Sequence, residues 1–294
     1  MQNTVFHGDA QTVLQHFPDE TFDTCITSPP YFRLRKYLSN DCPDRKFEIG
    51  TQTSVRAYVD ALVAVCGRVK KVLKSEGTFW LNIGDSYANS CQLEIIKSKE
   101  LCLIPQRLVI ALQESGWWVR QDIIWHKGNP MPESVKDRCT RSHEYIFLLT
   151  KSPQYYFNAD AIREPHLTES NIRNKRNENW GDKAQLSSIG KGRREWNHPL
   201  GRNKRSVWQI NVVPGYAREH FASFPPLIPK MCILAGCPEN GVVLDPFAGT
   251  GTTLRVAQQL GRRAVGIELS KEYCRVISRR CQIDVKSICT PVNG

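Results

Sequence analysis

The segment Thr27-Ser28-Pro29-Pro30-Tyr31 follows an apolar run and sets two prolines beside a hydroxyl and an aromatic ring. The prolines fix φ and remove two amide donors, so the backbone carbonyls at this tip are held rigidly outward. Such a tip accepts hydrogen bonds from an amino group. Ser28 adds a second acceptor, and Tyr31 offers a flat face on which a base can stack. In isolation, Ser-Pro-Pro-Tyr reads first as a rigid loop carrying a surface tyrosine.

A second chemical segment, Gly241-Val-Val-Leu-Asp245-Pro246-Phe247-Ala-Gly249-Thr-Gly251-Thr252-Thr-Leu254, ends a strand, makes a glycine-rich turn and opens a helix that stops near Gly261. Gly249 and Gly251 let backbone approach a ligand, and Asp245 places a carboxylate at the strand tip. A phosphate-binding P-loop needs a lysine before Ser/Thr, and none is present. A dinucleotide fingerprint needs a third glycine where Leu254 stands, and a carboxylate facing a pyrophosphate is unfavourable. What remains is a cationic or zwitterionic nucleoside ligand. The next apolar run ends in Glu268, near the spacing at which an acid takes ribose hydroxyls. Asp9, after Phe6-His-Gly, reads by itself as an ordinary helix N-cap.

These tips need a sheet to hold them. Apolar β-prone runs recur at Thr4–His7, Phe22–Thr27, Gly77–Ile83, Val119–His126, Glu144–Thr150, Gly241–Asp245 and Arg263–Glu268. Most are followed by a helical pattern, which predicts a seven-stranded, mostly parallel α/β sheet. Tyr58, Leu62, Val65, Val69, Val72 and Leu73 form a helical stripe closed by Gly77, a crossover helix whose apolar face is core. Ligands in such sheets bind beyond the carboxyl ends of the strands, where Ser28 and Asp245 both fall.

Composition excludes several classes. The 40 Lys+Arg against 29 Asp+Glu leave a net charge of +11. Mean hydropathy is −0.41, no apolar stretch approaches a membrane span, and the start shows no secretion signal, which predicts a cytoplasmic protein. Eleven cysteines without a Cys-x-x-Cys suit neither a disulfide framework nor a zinc ribbon, so free thiols and no metal are expected. The charge is local: residues 161–218 hold 12 Lys+Arg against 5 Asp+Glu. That loop-rich stretch contains Arg173, Lys175, Arg176, Arg193, Arg194, Arg202, Lys204 and Arg205, with Trp180, Trp196 and Trp208 interleaved. Its composition suits contact with nucleic acid, and suits a solvated surface insertion equally.

In combination, the Ser28-Pro-Pro-Tyr31 tip, the basic middle and the Asp245–Gly251 loop resemble the β-class DNA amino-methyltransferases, which use S-adenosylmethionine. Their catalytic tip precedes the target-recognition region and the cofactor loop comes last, a circular permutation of the usual methyltransferase order. The resemblance implies a Rossmann-like catalytic domain from 1–158 and 220–294, with a target-recognition insertion at 159–219. It implies catalytic roles for Ser28, Pro29, Pro30 and Tyr31. Asp245, Pro246, Phe247, Gly249, Gly251 and Thr252 would form the cofactor loop and Glu268 would bind the ribose. Asp9 would meet the adenine, and Phe224, within Phe221-Ala-Ser-Phe224-Pro225, would line the methionine end. The run Asp122 to Pro132 is family-like and would border the target base.

Serine rather than Asp or Asn before Pro-Pro-Tyr resembles the cytosine-N4 branch, which implies methylation of a flipped cytosine in double-stranded DNA, in a restriction-modification or epigenetic setting. Adenine-N6 methylation, RNA methylation and a silent DNA-binding relative stay open, and so does a homodimer. Methylation at the ring carbon is excluded, since it needs a cysteine after a proline and no Pro-Cys occurs. A zinc deaminase would need His-x-Glu with Pro-Cys-x-x-Cys, also absent.

Overall fold

The computed structural model describes residues 2–88, 96–166, 198–212 and 224–287. Nine strands form one sheet: β1 (Thr4–His7), β2 (Phe22–Thr27), β3 (Leu73–Ile83), β4 (Trp118–His126), β5 (His143–Thr150), β6 (Val207–Gln209), β7 (Val242–Asp245), β8 (Arg263–Glu268) and β9 (Asp284–Ser287). Among the described residues six α-helices accompany them: α1 (Ala10–Leu14), α2 (Val55–Val72), α3 (Ile104–Glu114), α4 (Leu227–Gly236), α5 (Thr252–Gln259) and α6 (Lys271–Cys281). The strand order is β6-β4-β5-β3-β2-β7-β8-β1-β9. Every pairing is parallel except the two made by β5.

The α/β class and mostly parallel sheet agree with the expectation, whereas the count of seven strands is corrected to nine. The two additional strands lack a readable pattern. All four residues of β9 are exposed at a sheet edge, and β6 buries only Trp208. Trp208 is therefore a core side chain, 3% exposed, and not a free aromatic for nucleic acid. The crossover helix ends at Val72 rather than at Gly77. Leu73, the last apolar residue of its stripe, has extended dihedrals and pairs with Phe22, so it is buried by the sheet rather than by a further helical turn.

Strand parity sorts the core. Phe79, Leu81 and Ile83 join a cluster with residues of α1, α2 and α3. Thr78 and Trp80, of opposite parity, meet α4, where Thr78 Oγ1 donates to the Gly236 carbonyl at 2.9 Å. β2 is central and wholly buried. Its start is pinned by Asp23, whose carboxylate accepts from the Val242 amide at 2.8 Å and pairs with Lys74 Nζ at 2.7 Å. This bond sets β2 beside β7, so the proline tip and the glycine loop leave the sheet at the carboxyl ends of neighbouring parallel strands.

The chain divides into two compact units, 158–205 and the remainder. The expected insertion ran on to 219. Residues 206–212 instead lie in the larger unit, because β6 pairs with β4. Within the small unit Glu164 and Arg202 exchange backbone hydrogen bonds, and the Glu164 carboxylate takes both Arg202 at 3.1 Å and Lys204 at 2.8 Å. Among the described residues no helix is long and apolar enough to cross a membrane.

Candidate active site

The two corners meet. Thr27 Oγ1, one residue before the proline tip, donates to Asp245 Oδ1 at 2.6 Å, and the same oxygen accepts the Phe247 amide at 3.1 Å. A cavity of about 290 Å³ lies above this junction. Ser28, Pro29, Pro30 and Tyr31 line it. Pro246, Phe247, Gly249, Thr252 and the nine-tenths buried Phe224 line it with Asp245, and so do Asp9 and Glu268, at the tips of β1 and β8. Gly251 does not line the cavity. It sits behind the loop as the N-cap of α5, with φ +81°, where an added Cβ would press on Ile277 and Cys281 at 3.2 Å. Its role is to turn the chain in the left-handed region that glycine tolerates.

The carboxylates are unusually placed. Burial raises Asp245 to about 6 despite the hydrogen bonds it accepts, and burial likewise raises Glu268 to about 7. Glu268 spans two backbones: Oε2 accepts the Gly249 amide and Oε1 the Ser270 amide, each at 2.8 Å. It thus ties the glycine loop to the start of α6. Asp9 does cap α1, taking the Thr12 amide at 2.9 Å, and it also faces the cavity. An ordinary cap and a ligand contact are the same residue here.

At the proline tip the acceptors are sorted by their neighbours. The Pro30 carbonyl is taken by Tyr58 Oη at 2.8 Å, which leaves the Pro29 carbonyl without a partner among the described residues. Ser28 Oγ donates to Tyr31 Oη at 3.4 Å, and Tyr31 Oη in turn donates to Glu144 Oε2 at 2.5 Å. Glu144 is held from its other sides by an ion pair with Lys127 and by Asn82 Nδ2 at 3.2 Å. Burial first, then the Glu144 charge, holds the Tyr31 phenol well above its usual range, so it remains a donor. The Ser28 hydrogen consequently points away, and its lone pairs are left to accept. Gly84 permits this packing, since a Cβ there would come within 2.7 Å of the Tyr31 ring.

Glu144, Lys127 and Asn82 are not marked as a group by their sequence. Lys127 falls within the Asp122–Pro132 run, but Glu144 is the second residue of β5 and has no local motif. Arg173, Lys175, Arg176, Arg193, Arg194, Trp180, Trp196 and Phe221 lie outside the described residues. Arg202 and Lys204 are engaged by Glu164, and Arg205 is exposed.

The cavity suits a ligand with both charges and hydroxyl groups: Asp9, Glu48, Glu144, Asp245 and Glu268 line it together with Arg35 and Lys127. S-adenosylmethionine is such a ligand. Known proteins agree with this geometry. The family described as DNA methylase (N6_N4_Mtase) matches residues 22–279. The chain is 39% identical over 293 residues to the type II methyltransferase M.SmaI of Serratia marcescens, across 93% of this chain and 88% of that protein. It is 38% identical to M.Cfr9I of Citrobacter freundii, across 95% and 87%. Its fold superposes on the PvuII DNA methyltransferase (cytosine-N4-specific) with a TM-score of 0.67 at 19% identity, over 95% of this chain and 86% of that one. A putative DNA modification methylase of Thermus thermophilus, solved with S-adenosyl-L-methionine, gives 0.62 at 21% identity, over 97% and 99%. With a joined tip and glycine loop, and with relatives close to two-fifths identical along nearly its whole length, this chain belongs to the N6/N4 DNA methylase family.

Proposed function

We propose that this DNA methyltransferase acts on the exocyclic N4 of a cytosine swung out of double-stranded DNA. The observation that carries the reading is the Thr27–Asp245 hydrogen bond, which joins an amino-group acceptor and a nucleoside pocket in one cavity. S-adenosylmethionine, when bound, supplies an electrophilic methyl group on a sulfonium. Asp9, Asp245, Glu268 and the glycine loop would hold it. The type II relatives support a restriction-modification setting.

The difficulty of the reaction lies in the target. An exocyclic amine shares its lone pair with the ring, so it is a poor nucleophile while planar. Ser28 Oγ and the Pro29 carbonyl accept its two hydrogens and bring the lone pair out of the ring plane, toward the methyl donor. The Tyr31–Glu144–Lys127 chain keeps the Ser28 hydrogen turned away, so the hydroxyl serves as acceptor and not as donor. A paired base cannot reach this tip, which is why it must leave the stack. A neutral serine favours cytosine over adenine, and the cytosine-N4-specific PvuII enzyme of like fold supports the same reading.

Nucleoside analysis by mass spectrometry of DNA methylated in vitro tests the assignment. N4-methylcytosine is the expected product; N6-methyladenine would overturn the base, methylated RNA in preference to DNA would overturn the substrate, and no transfer despite DNA binding would identify a silent relative.

The 158–205 unit and the basic residues around it are assigned to DNA contact. Replacing Arg193 and Arg194 with alanine is expected to weaken DNA binding and to reduce the log–log salt slope by about 2, because each phosphate neutralised contributes about 0.9. An unchanged slope would return that stretch to a solvated surface.

A further inference from the structure

Single apolar side chains on a surface are ordinary, and Met131 is distinguished by where it stands. At 83% it is the most exposed large apolar side chain among the described residues. It lies in the loop between β4 and β5, whose neck is closed by the Lys127 amide donating to the Ser142 carbonyl at 2.7 Å. Both sides of that neck reach the cavity, since Lys127 and Glu144 line it. Just beyond Lys127, Asn129 is clamped to Val212: its Nδ2 donates to the Val212 carbonyl at 2.9 Å and its Oδ1 accepts the Val212 amide at 2.8 Å. Val212 lines the same cavity. Met131 is two residues further on, so its Cα lies within about 7 Å of that of Asn129.

The backbone that carries Met131 is stiff. Pro130 and Pro132 flank it, which fixes φ on either side and holds Asn129 and Met131 to extended conformations. Further along the loop Arg138 pairs with Glu133 and Asp137 with Lys99, whereas the exposed Lys136 has no ion pair among the described residues. Methionine is one of the side chains that can enter a base step and unstack it, and a nearby free ammonium suits a phosphate.

We propose that Met131 is a wedge that enters the DNA stack where the target base has left it, and so keeps that base in the cavity. The inference rests on the reading that the base is swung out of duplex DNA. A flipped nucleotide stays joined to its strand, so the gap it leaves lies beside the pocket that receives it. A wedge must therefore be carried by an element anchored at that pocket. The clamped Asn129-Pro-Met-Pro tip is such an element, held to a cavity-lining residue at its base and apolar at its exposed point.

The test is single-turnover methyl transfer by the full chain, as wild type, Met131→Ala and Met131→Leu. The substrates are duplex oligonucleotides carrying a site mapped by sequencing DNA that the wild type has methylated. In one duplex the target base is paired; in the other it faces an abasic position, so no pair has to be broken. Met131→Ala is expected to slow transfer about 10- to 100-fold on the paired duplex, the scale of the unstacking cost that a wedge offsets. On the abasic duplex its rate should stay within about threefold of the wild type. Met131→Leu, apolar and of similar volume, should keep the wild-type rate on both. An unchanged rate for Met131→Ala on paired DNA overturns the proposal and returns Met131 to a solvated loop. Equal slowing on the two duplexes also overturns it, by showing that the residue acts through the fold or through general DNA affinity. A wild type that transfers no methyl group to DNA would instead defeat the proposed reaction itself.

Discussion

Ser28→Ala is expected to lower kcat about 100-fold, the scale of losing one preorganised hydrogen bond to the reacting group, with cofactor affinity changed less than about threefold. The asymmetry follows from where the hydroxyl sits. Its own hydrogen is committed to Tyr31 Oη, and what it offers the cavity is a pair of lone pairs at the tip of β2. The glycine loop is held by other groups, Asp245 by Thr27 and Phe247, and Gly249 by Glu268. Removing Oγ leaves those bonds intact. Single-turnover methyl transfer, paired with cofactor titration, separates the two quantities. Normal turnover with lost cofactor binding would refute the role given to Ser28.

Glu268→Gln is expected to weaken cofactor binding about 10- to 100-fold and to destabilise the free protein by roughly 1–3 kcal/mol. The second effect has a plain cause: two backbone amides, of Gly249 and Ser270, point at this carboxylate, and a glutamine has one acceptor for them. Denaturant unfolding of the ligand-free protein reads it. A linked pH dependence is expected in the wild type. Burial raises both Glu268, to about 7, and Asp245, to about 6, so between the unfolded-state values and these the folded chain binds more protons than the unfolded one. Their contribution to stability is complete at low pH, below the unfolded values, and is lost as pH rises through about 6 and about 7. Cofactor binding has the opposite sign. Ribose hydroxyls and an ammonium prefer ionised carboxylates, so affinity should tighten between about pH 5 and about pH 8, with protons released on binding. Calorimetry in buffers of different ionisation heat counts those protons. Affinity that falls as pH rises would show that the protonated carboxyls are the binding forms.

Much of the site is legible in the sequence because its signals are local. A strand that runs into two prolines, or into a turn with glycines at two of three positions, declares both its direction and its tip. β1, β2 and β8 have the bounds that their apolar runs predict. Asp9, Asp245 and Glu268 stand at strand ends and can be picked out by position alone. β6 and β9 escape such a reading because neither buries enough side chains to write a pattern.

The sequence determined the parts: acceptors stiffened by proline, a loop only glycine can turn, acids at strand tips, and a fold class set by alternating apolar runs. Tertiary structure decided their company. Thr27 and Asp245 are 218 residues apart and touch because β2 and β7 exchange backbone hydrogen bonds. Glu144 reaches the tip because β5 runs against its neighbours, which brings the beginning of that strand, and not its end, to the edge where the other strands finish. Glu48 comes from the segment after the proline tip and lines the same cavity. Periodicity reports which side of an element is buried; strand direction and neighbour are set by long-range backbone pairing, which leaves no mark on the residues nearby.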